Sequence, residues 1–478
     1  MSETVVRENT SFWRRTADGI ESFCSAEWYP FAVVGVAFLF HAFALDLAGI
    51  VFFAAAGIAL LLLSDGCKAS LPVLLSVVFI VSTQNSPGYG RGENYYATKE
   101  VYVPLAVTAA LLFSVILFRT VKNLREEKKR GEKTSVLPFL FFPVLLGVSF
   151  LTAGVGGNYY PQSALFGGVQ TFFFVLLPAF FFAVLGKDAD FDFLSCTLSA
   201  LCLLVSLEVA FVYFLNLRDG GSFGNGWKSR IITGWGVSNV SGELIVLFLP
   251  FAIRNVMGRR GEFYLLIVLS GLVSLFFTLN RTGMIVGVPV TAVLLAYAVA
   301  RGRRRLLRVG LIALFGGVCF VGWKLLSAYT GIGEVTAYFE KSFFLSGEVN
   351  WSGRDRLWGI ALDAFREHPL FGAGYATYFM ESSFAETGTV FEALMHCSAL
   401  EALGSAGLFG GAAFAAYCVF LLVVALRCEE DRLWVLTFLA SFFVISLFDI
   451  VYFIPYCTMF VMLIAAAAQR KRRKTERG

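Results

Sequence analysis

From about residue 29 onward the chain alternates long apolar runs with short polar breaks, and no run keeps the every-second-residue rhythm of a strand. Runs near the ~17–25 residue length that crosses a bilayer as a helix centre on 31–45, 48–63, 70–83, 101–118, 136–153, 166–185, 195–215, 237–252, 262–279, 284–300, 309–328, 396–426, 434–448 and 455–468. This pattern predicts an all-α, polytopic membrane bundle of about 14 spans, with the first and last pairs as hairpins. It divides the chain into a leader (1–28), N-terminal spans (29–235), central spans (236–328), a large external loop (329–395), C-terminal spans (396–468) and a basic tail (469–478).

Composition sharpens the picture. Of 478 residues 57% are hydrophobic and only 15% charged, against about 45–50% and 25% in soluble domains. There are 51 Phe, and the mean hydropathy is +0.72. A soluble globular enzyme, a disordered chain and a nucleic-acid-binding protein are excluded. So is an outer-membrane barrel, whose strands alternate in hydropathy. The nine cysteines are scattered, without a CxxC spacing, and indicate neither a disulfide framework nor zinc.

The net charge of +5 matters less than its placement. Segments 1–29, 64–69, 119–135, 186–194, 253–261, 301–308, 427–433 and 469–478 hold 28 of the 39 Lys and Arg. By the positive-inside rule that side is cytoplasmic, which puts both termini inside and requires an even number of spans. The run Arg470 to Lys474 then anchors at the anionic inner leaflet. The polar first 28 residues predict no cleavable signal peptide. Phe12, Thr16, Ile20 and Phe23 fall near helical spacing, fitting either a helix on the inner leaflet or a solvated leader.

The 329–395 segment is far longer than any other external connection, and long loops carry function or their own structure. Ser352-Gly353-Arg354-Asp355 reads as an N-cap. Leu357, Trp358, Ala361, Leu362 and Phe365 then repeat at three and four, the stripe of an amphipathic helix that His368-Pro369 terminates. This helix is expected to lie across the outer mouth of the bundle, apolar face down.

Several side chains could carry chemistry. Arg281 is the only charge in a tight turn between two apolar runs, and reads as either a snorkelling interfacial arginine or a functional one. Arg230 lies in the Gly- and aromatic-rich segment 216–236, with Arg218, Trp227 and Lys228, just ahead of Asn239. His396 opens a span and could be a cap, a core residue or a catalyst. Adjacent residues on a helix do not face one another, which argues against a Cys397–His396 nucleophile pair. Asp188-Ala189-Asp190-Phe191-Asp192 contains a DxD pattern, but the expected topology places it on the cytoplasmic side as a solvated turn. Glu208 and Lys324 are intramembrane charges, each a candidate for function.

Three stretches together resemble the O-antigen ligase and O-antigen polymerase family of bacterial membrane glycosyltransferases. One is Arg230 followed by Gly234 and Ser238-Asn239. Another is Asn280-Arg281-Thr282-Gly283. The most specific runs Gly353-Arg354-Asp355-Arg356-Leu357-Trp358, then Pro369-Leu370-Phe371-Gly372-Ala373-Gly374, then His396 leading into Leu400, Leu403 and Gly407. The resemblance covers roughly 230–415 and departs from the family's pattern at Cys397, where Asn is usual. It implies transfer of a glycan from undecaprenyl pyrophosphate to an acceptor sugar hydroxyl. The reaction would take place on the outer face of the bacterial inner membrane, with inversion and without metal or other cofactor. Arg230 and Arg281 would clamp the pyrophosphate, since arginine offers paired planar donors to phosphate oxygens. His396 would be the general base, suited by an ordinary pKa near ~6.5. Arg354, Arg356, Trp358, Arg218 and Asn239 would contact substrate, and Trp227, Trp235 and Trp351 could also stack on sugars.

The acceptor would be a lipid-linked repeat unit (polymerase, placed first) or another glycolipid (ligase). Membrane lipids and a chain-length regulator are the other expected partners. The competing reading is a lipid-linked oligosaccharide flippase. Such a transporter should show two comparable halves, and this sequence has no internal repeat.

Overall fold

The computed structural model describes residues 18–64, 68–81, 98–129, 137–157, 159, 161–171, 191–224, 226–234, 236–345, 348–349, 353–375, 379–381, 390–392, 395–429 and 431–475. In chain order the helices are α1 (Asp18–Cys24), α2 (Tyr29–Ala42), α3 (Asp46–Leu63), α4 (Leu71–Ser76), α5 (Lys99–Lys129), α6 (Leu137–Leu151) and α7 (Pro161–Thr171). They continue as α8 (Phe191–Arg218), α9 (Trp227–Arg230), α10 (Ser238–Val256), α11 (Gly261–Phe277), α12 (Arg281–Arg301) and α13 (Arg305–Tyr329). The last five are α14 (Glu334–Phe343), α15 (Arg354–Glu367), α16 (Ser398–Leu426), α17 (Arg432–Ser446) and α18 (Pro455–Thr475). Among the described residues the strands form three short two-stranded pairs.

Among the described residues seven helices are long and apolar enough to cross a membrane, or eight if the bent pair α1–α2 is one span. Four shorter apolar helices lie at Phe139–Leu151, Gly261–Phe277, Arg432–Ser446 and Cys457–Ala468. The chain is thus an all-α polytopic membrane protein. The expected third span, 70–83, is instead the six-residue α4 followed by a 3-10 turn at Val77–Phe79. Part of the expected 166–185 span lies outside the described residues, as do residues 1–17 of the leader.

The chain divides into two compact units, residues 1–123 with 187–345, and residues 124–186 with 346–478. At the centre of the first, α8, α10 and α11 pack on one another. Small residues set their spacing: a Cβ at Gly271 would already touch Leu249 and Cys202 at about 3.1–3.2 Å. α8 and α10 are the most enclosed spans, as expected for helices apolar all round. α13 behaves oppositely, with Arg308 its single buried residue. In the second unit α16 is central and packs against α6, α15 and α17.

Candidate active site

One end of the first unit gathers the arginine-bearing stretches. α12 begins at Arg281 because Asn280 caps it: Oδ1 accepts the Gly283 N–H at 3.0 Å. Leu279 just before it adopts a left-handed φ of 56° to make the turn. The same Asn280 side chain donates Nδ2–H to the carbonyl of Asn239 at 2.7 Å, tying the start of α12 to the start of α10. Gly242 permits this approach, since a Cβ there would lie 2.7 Å from the Asn280 Cβ. Asn239 follows a small hairpin, Ile232–Thr233 paired with Gly236–Val237, which follows α9 and its last residue, Arg230. The hairpin turn uses Gly234 at φ +44°, against the Val78–Phe79 backbone, where a Cβ would meet Phe79 Cα at 2.7 Å. Arg230 is exposed and Arg281 half-buried. A cation in the first turn of a helix opposes the helix dipole, so Arg281 intensifies positive potential at a position already suited to an anion. Arg218 binds Asp219 at 2.7 Å. Trp227 is a core residue, 2% exposed and packed with Tyr213 and Phe223, so it cannot stack on a sugar. Trp235 and Trp351 lie outside the described residues.

The second unit builds the histidine. α15 runs over the predicted span and stops before His368-Pro369. Its N-cap is Gly353 in a left-handed conformation, with no side-chain cap; the expected cap Ser352 lies outside the described residues. The apolar stripe is narrower than expected: Leu357 and Ala361 of it, joined by Ala364, form a core with Met395, flanked by Leu400 of α16, whereas Trp358 and Phe365 are half-buried and Leu362 is exposed. Met395 immediately precedes His396, so the amphipathic helix helps to fix the catalytic candidate.

His396 is not inside α16. It stands ahead of the N-cap with φ +47°, an uncommon conformation for a non-glycine residue. Glu401 fixes that turn from within, accepting the Met395 N–H at 2.9 Å and the Ser405 hydroxyl at 2.7 Å. The imidazole is 42% exposed, and its Nδ1 lies 3.2 Å from Oδ1 of Asp449. Asp449 is itself held by the Ile450 N–H at 2.8 Å, while its carbonyl accepts from Ser398 Oγ at 3.1 Å. Burial pushes the Asp449 carboxyl up. Hydrogen bonds from His396 and Ile450 and the charge of nearby Arg354 outweigh that and hold it below the usual carboxylate range. Trp358 packs toward Phe448, the neighbour of Asp449. Arg354, Trp358, His396 and Asp449 therefore share one locale, whereas Arg356 is exposed on α15. Cys397 is 5% exposed, and burial pushes its thiol up, making it a poor nucleophile.

The Gly-rich motifs turn out to be one device. α16 is broken at Gly407 (φ 64°, ψ −154°). In an unbroken helix the Gly404 and Ser405 carbonyls would accept from the amides of residues 408 and 409. Here they accept instead from Ala373 and Gly374, each at 3.0 Å, while the Leu408 and Phe409 amides donate to Pro369 and Leu370 at 2.8 and 3.2 Å. The Pro369–Gly374 loop thus replaces two lost helical bonds with four of its own. Contact is backbone to backbone: a Cβ at Gly372 would lie 2.4 Å from the Ser405 carbonyl, and one at Gly407 2.5 Å from that of Leu370.

Asp449 is the functional candidate that motif reading missed. The signal was present: between Arg432 and Arg470 it is the only charged residue, and a lone charge in an apolar run is a functional hypothesis in itself. Glu208 is fully buried on α8, without a hydrogen-bond partner among the described residues. Lys324 rests over the Phe320 ring on α13. No cluster of three or more His, Cys, Asp or Glu placed to hold a metal occurs among the described residues; Asp188 and Asp190 lie outside them.

A polytopic helical membrane protein with a half-exposed, carboxylate-paired histidine between two buried neighbours and a cap-anchored arginine fits the class of membrane transferases that act on lipid-linked substrates. Residues 265–415, about a third of the chain, match the family model described as O-antigen ligase, and that match supports membership of the O-antigen ligase and polymerase family of glycosyltransferases. The match includes Arg281, Arg354, Arg356, Trp358 and His396; Arg230 and Asp449 fall outside it. No curated protein matches the chain.

Proposed function

We propose that this protein transfers a glycan from undecaprenyl pyrophosphate to the sugar hydroxyl of a lipid-linked repeat unit, on the outer face of the bacterial inner membrane, as a polymerase. The observation that carries the reading is the exposed His396 imidazole with its Nδ1 on a buried, ionised Asp449. Nδ1–H donates to that carboxylate, which leaves Nε2 as an acceptor. His396 then takes the proton of the attacking hydroxyl as its oxygen bonds to the anomeric carbon. The bond from that carbon to the pyrophosphate oxygen breaks on the opposite face, and the configuration inverts. Arg281 and Arg230 stabilise charge on the departing lipid pyrophosphate, where charge-assisted bonds are strongest. Arg354, Arg356 and Trp358 bind phosphate or sugar, and Arg218 and Asn239 line the approach to the arginines. No metal or other cofactor takes part.

The test uses purified full-length protein in detergent with lipid-pyrophosphate-linked repeat units, chelator and no nucleotide sugar. The expected product is a ladder of repeats with inverted linkage. His396→Ala, Arg281→Ala and Arg230→Ala should each abolish it while folding is retained. Near-normal turnover by Arg281→Ala overturns the clamp. Addition only to a different glycolipid makes the enzyme a ligase, and no transfer in detergent together with flipping in proteoliposomes makes it a transporter. Single cysteines at 345 and 125, labelled from outside intact cells, check sidedness; only 345 should react.

A further inference from the structure

The end of the first unit opposite Arg281 carries a feature the reaction does not use. The turn between α10 and α11 and the turn between α12 and α13 lie side by side, because Arg308 reaches across. Its guanidinium is 3% exposed and has Glu262 at 3.7 Å. It occupies a slot walled by two glycines, where a Cβ at Gly302 would lie 1.9 Å from Nη1 and one at Gly261 2.4 Å from Nη2. Among the described residues its Nε and Nη1 have no hydrogen-bond partner. Around this buried cation the two turns present further arginines. Arg254 pairs with Asp192 and Arg260 with Glu27. Arg259, Arg301, Arg303, Arg304 and Arg305 are all exposed, and none has a carboxylate partner among the described residues. Five guanidinium groups without a carboxylate on abutting turns repel one another, and Arg301 alone among them rests on a ring, that of Tyr297. The surface calls for an anion. All five are arginine, the side chain whose planar fork matches phosphate oxygens.

The rest of the feature says which phosphate. α13 rises directly from this turn and presents bare apolar surface, with Leu306 84%, Val309 53%, Leu314 64% and Val318 63% exposed. Gly310, Gly316 and Gly317 leave open space where side chains would project. A cationic headgroup site continued by an exposed apolar face along a membrane helix has the two-part chemistry of a phospholipid. We propose that the α12–α13 turn and the adjoining face of α13 form a binding site for an anionic phospholipid. Its phosphate rests on Arg303, Arg304 and Arg305, and its acyl chains lie along α13.

The experiment compares spin-labelled phosphatidylglycerol with spin-labelled phosphatidylcholine bound to full-length protein in phosphatidylcholine nanodiscs. Wild type is expected to prefer the anionic lipid. Each Arg→Gln change among 303, 304 and 305 should reduce that preference by up to about fivefold, with an unchanged melting temperature. Combining the three changes should abolish the preference, and Arg304→Gln alone gives the same reading should that triple variant not fold. The proposal is overturned if preference survives these changes, or if Arg472→Gln/Arg473→Gln in the tail removes as much of it, which would indicate diffuse attraction. Displacement by inorganic phosphate beyond that of chloride at equal ionic strength also overturns it, assigning the site to a soluble phosphate.

Discussion

Replacing Gly407 by Ala tests whether the break in α16 and the Pro369–Gly374 loop are one lock. Two costs are readable from the geometry. The φ/ψ pair of 64° and −154° is a region that only glycine enters readily, a penalty of about 1–3 kcal/mol for alanine. The new methyl would also lie 2.5 Å from the Leu370 carbonyl, which is backbone and cannot rotate away. Relief requires parting the loop from the helix, with loss of some of four hydrogen bonds worth about 0.5–1.5 kcal/mol each. The expected destabilisation is about 3–6 kcal/mol, a large part of a domain's stability. Gly372→Ala strikes the same contact from the loop side, against Ser405 and Ala406. The double variant should therefore cost little more than the worse single one, a coupling that distant sites do not show. The assay is reversible unfolding in mixed micelles, with loop proteolysis as a local probe. A Gly407→Ala protein within ~0.5 kcal/mol of wild type, or a strictly additive double variant, would refute the lock.

Other outcomes follow from the same geometry. Asp449→Asn should lower transfer about 10–100-fold with expression intact, the worth of a charge-assisted bond that orients the base, measured as kcat with saturating donor. Because Asp449 is held below the usual range, its stabilising contribution is complete above its unfolded value near ~3.9 and lost as pH falls through the folded value. Melting curves of wild type and Asp449→Asn should keep a constant gap from pH 6 to 8 and converge only in acid. Asn280→Ala should cost about 1–2 kcal/mol through loss of the cap and of its bond to Asn239, and should weaken donor binding by freeing Arg281. Glu401→Ala should impair turnover more than donor affinity, since it releases the Met395–His396 turn and touches no donor group.

Much of this was legible before any coordinates. The three-and-four spacing from Leu357 to Phe365 marked α15 and, at Leu357 and Ala361, the centre of its buried face, while Leu362 is exposed and Ala364 takes its place. Arg281 and His396 stood out as polar residues at the edges of apolar runs. Other features depend on contacts between distant segments. The break at Gly407 is invisible locally: Leu400 to Gly410 reads as continuous helix, and only the loop 35 residues upstream supplies the bonds that make the break stable. Asp449 could be marked as odd, but not as the partner of His396, because 53 positions separate them. The six-residue α4 was read as a full span, since hydropathy registers apolarity and not where a helix stops.

The break also couples α16 mechanically to the loop. Gly404 and Ser405 on one side of it and Leu408 and Phe409 on the other are all bonded to Pro369–Gly374. A change in lipid thickness that tilts residues 408–426 is therefore carried into that loop. The His396 turn then keeps its alignment with the carboxylate only while the four bonds hold.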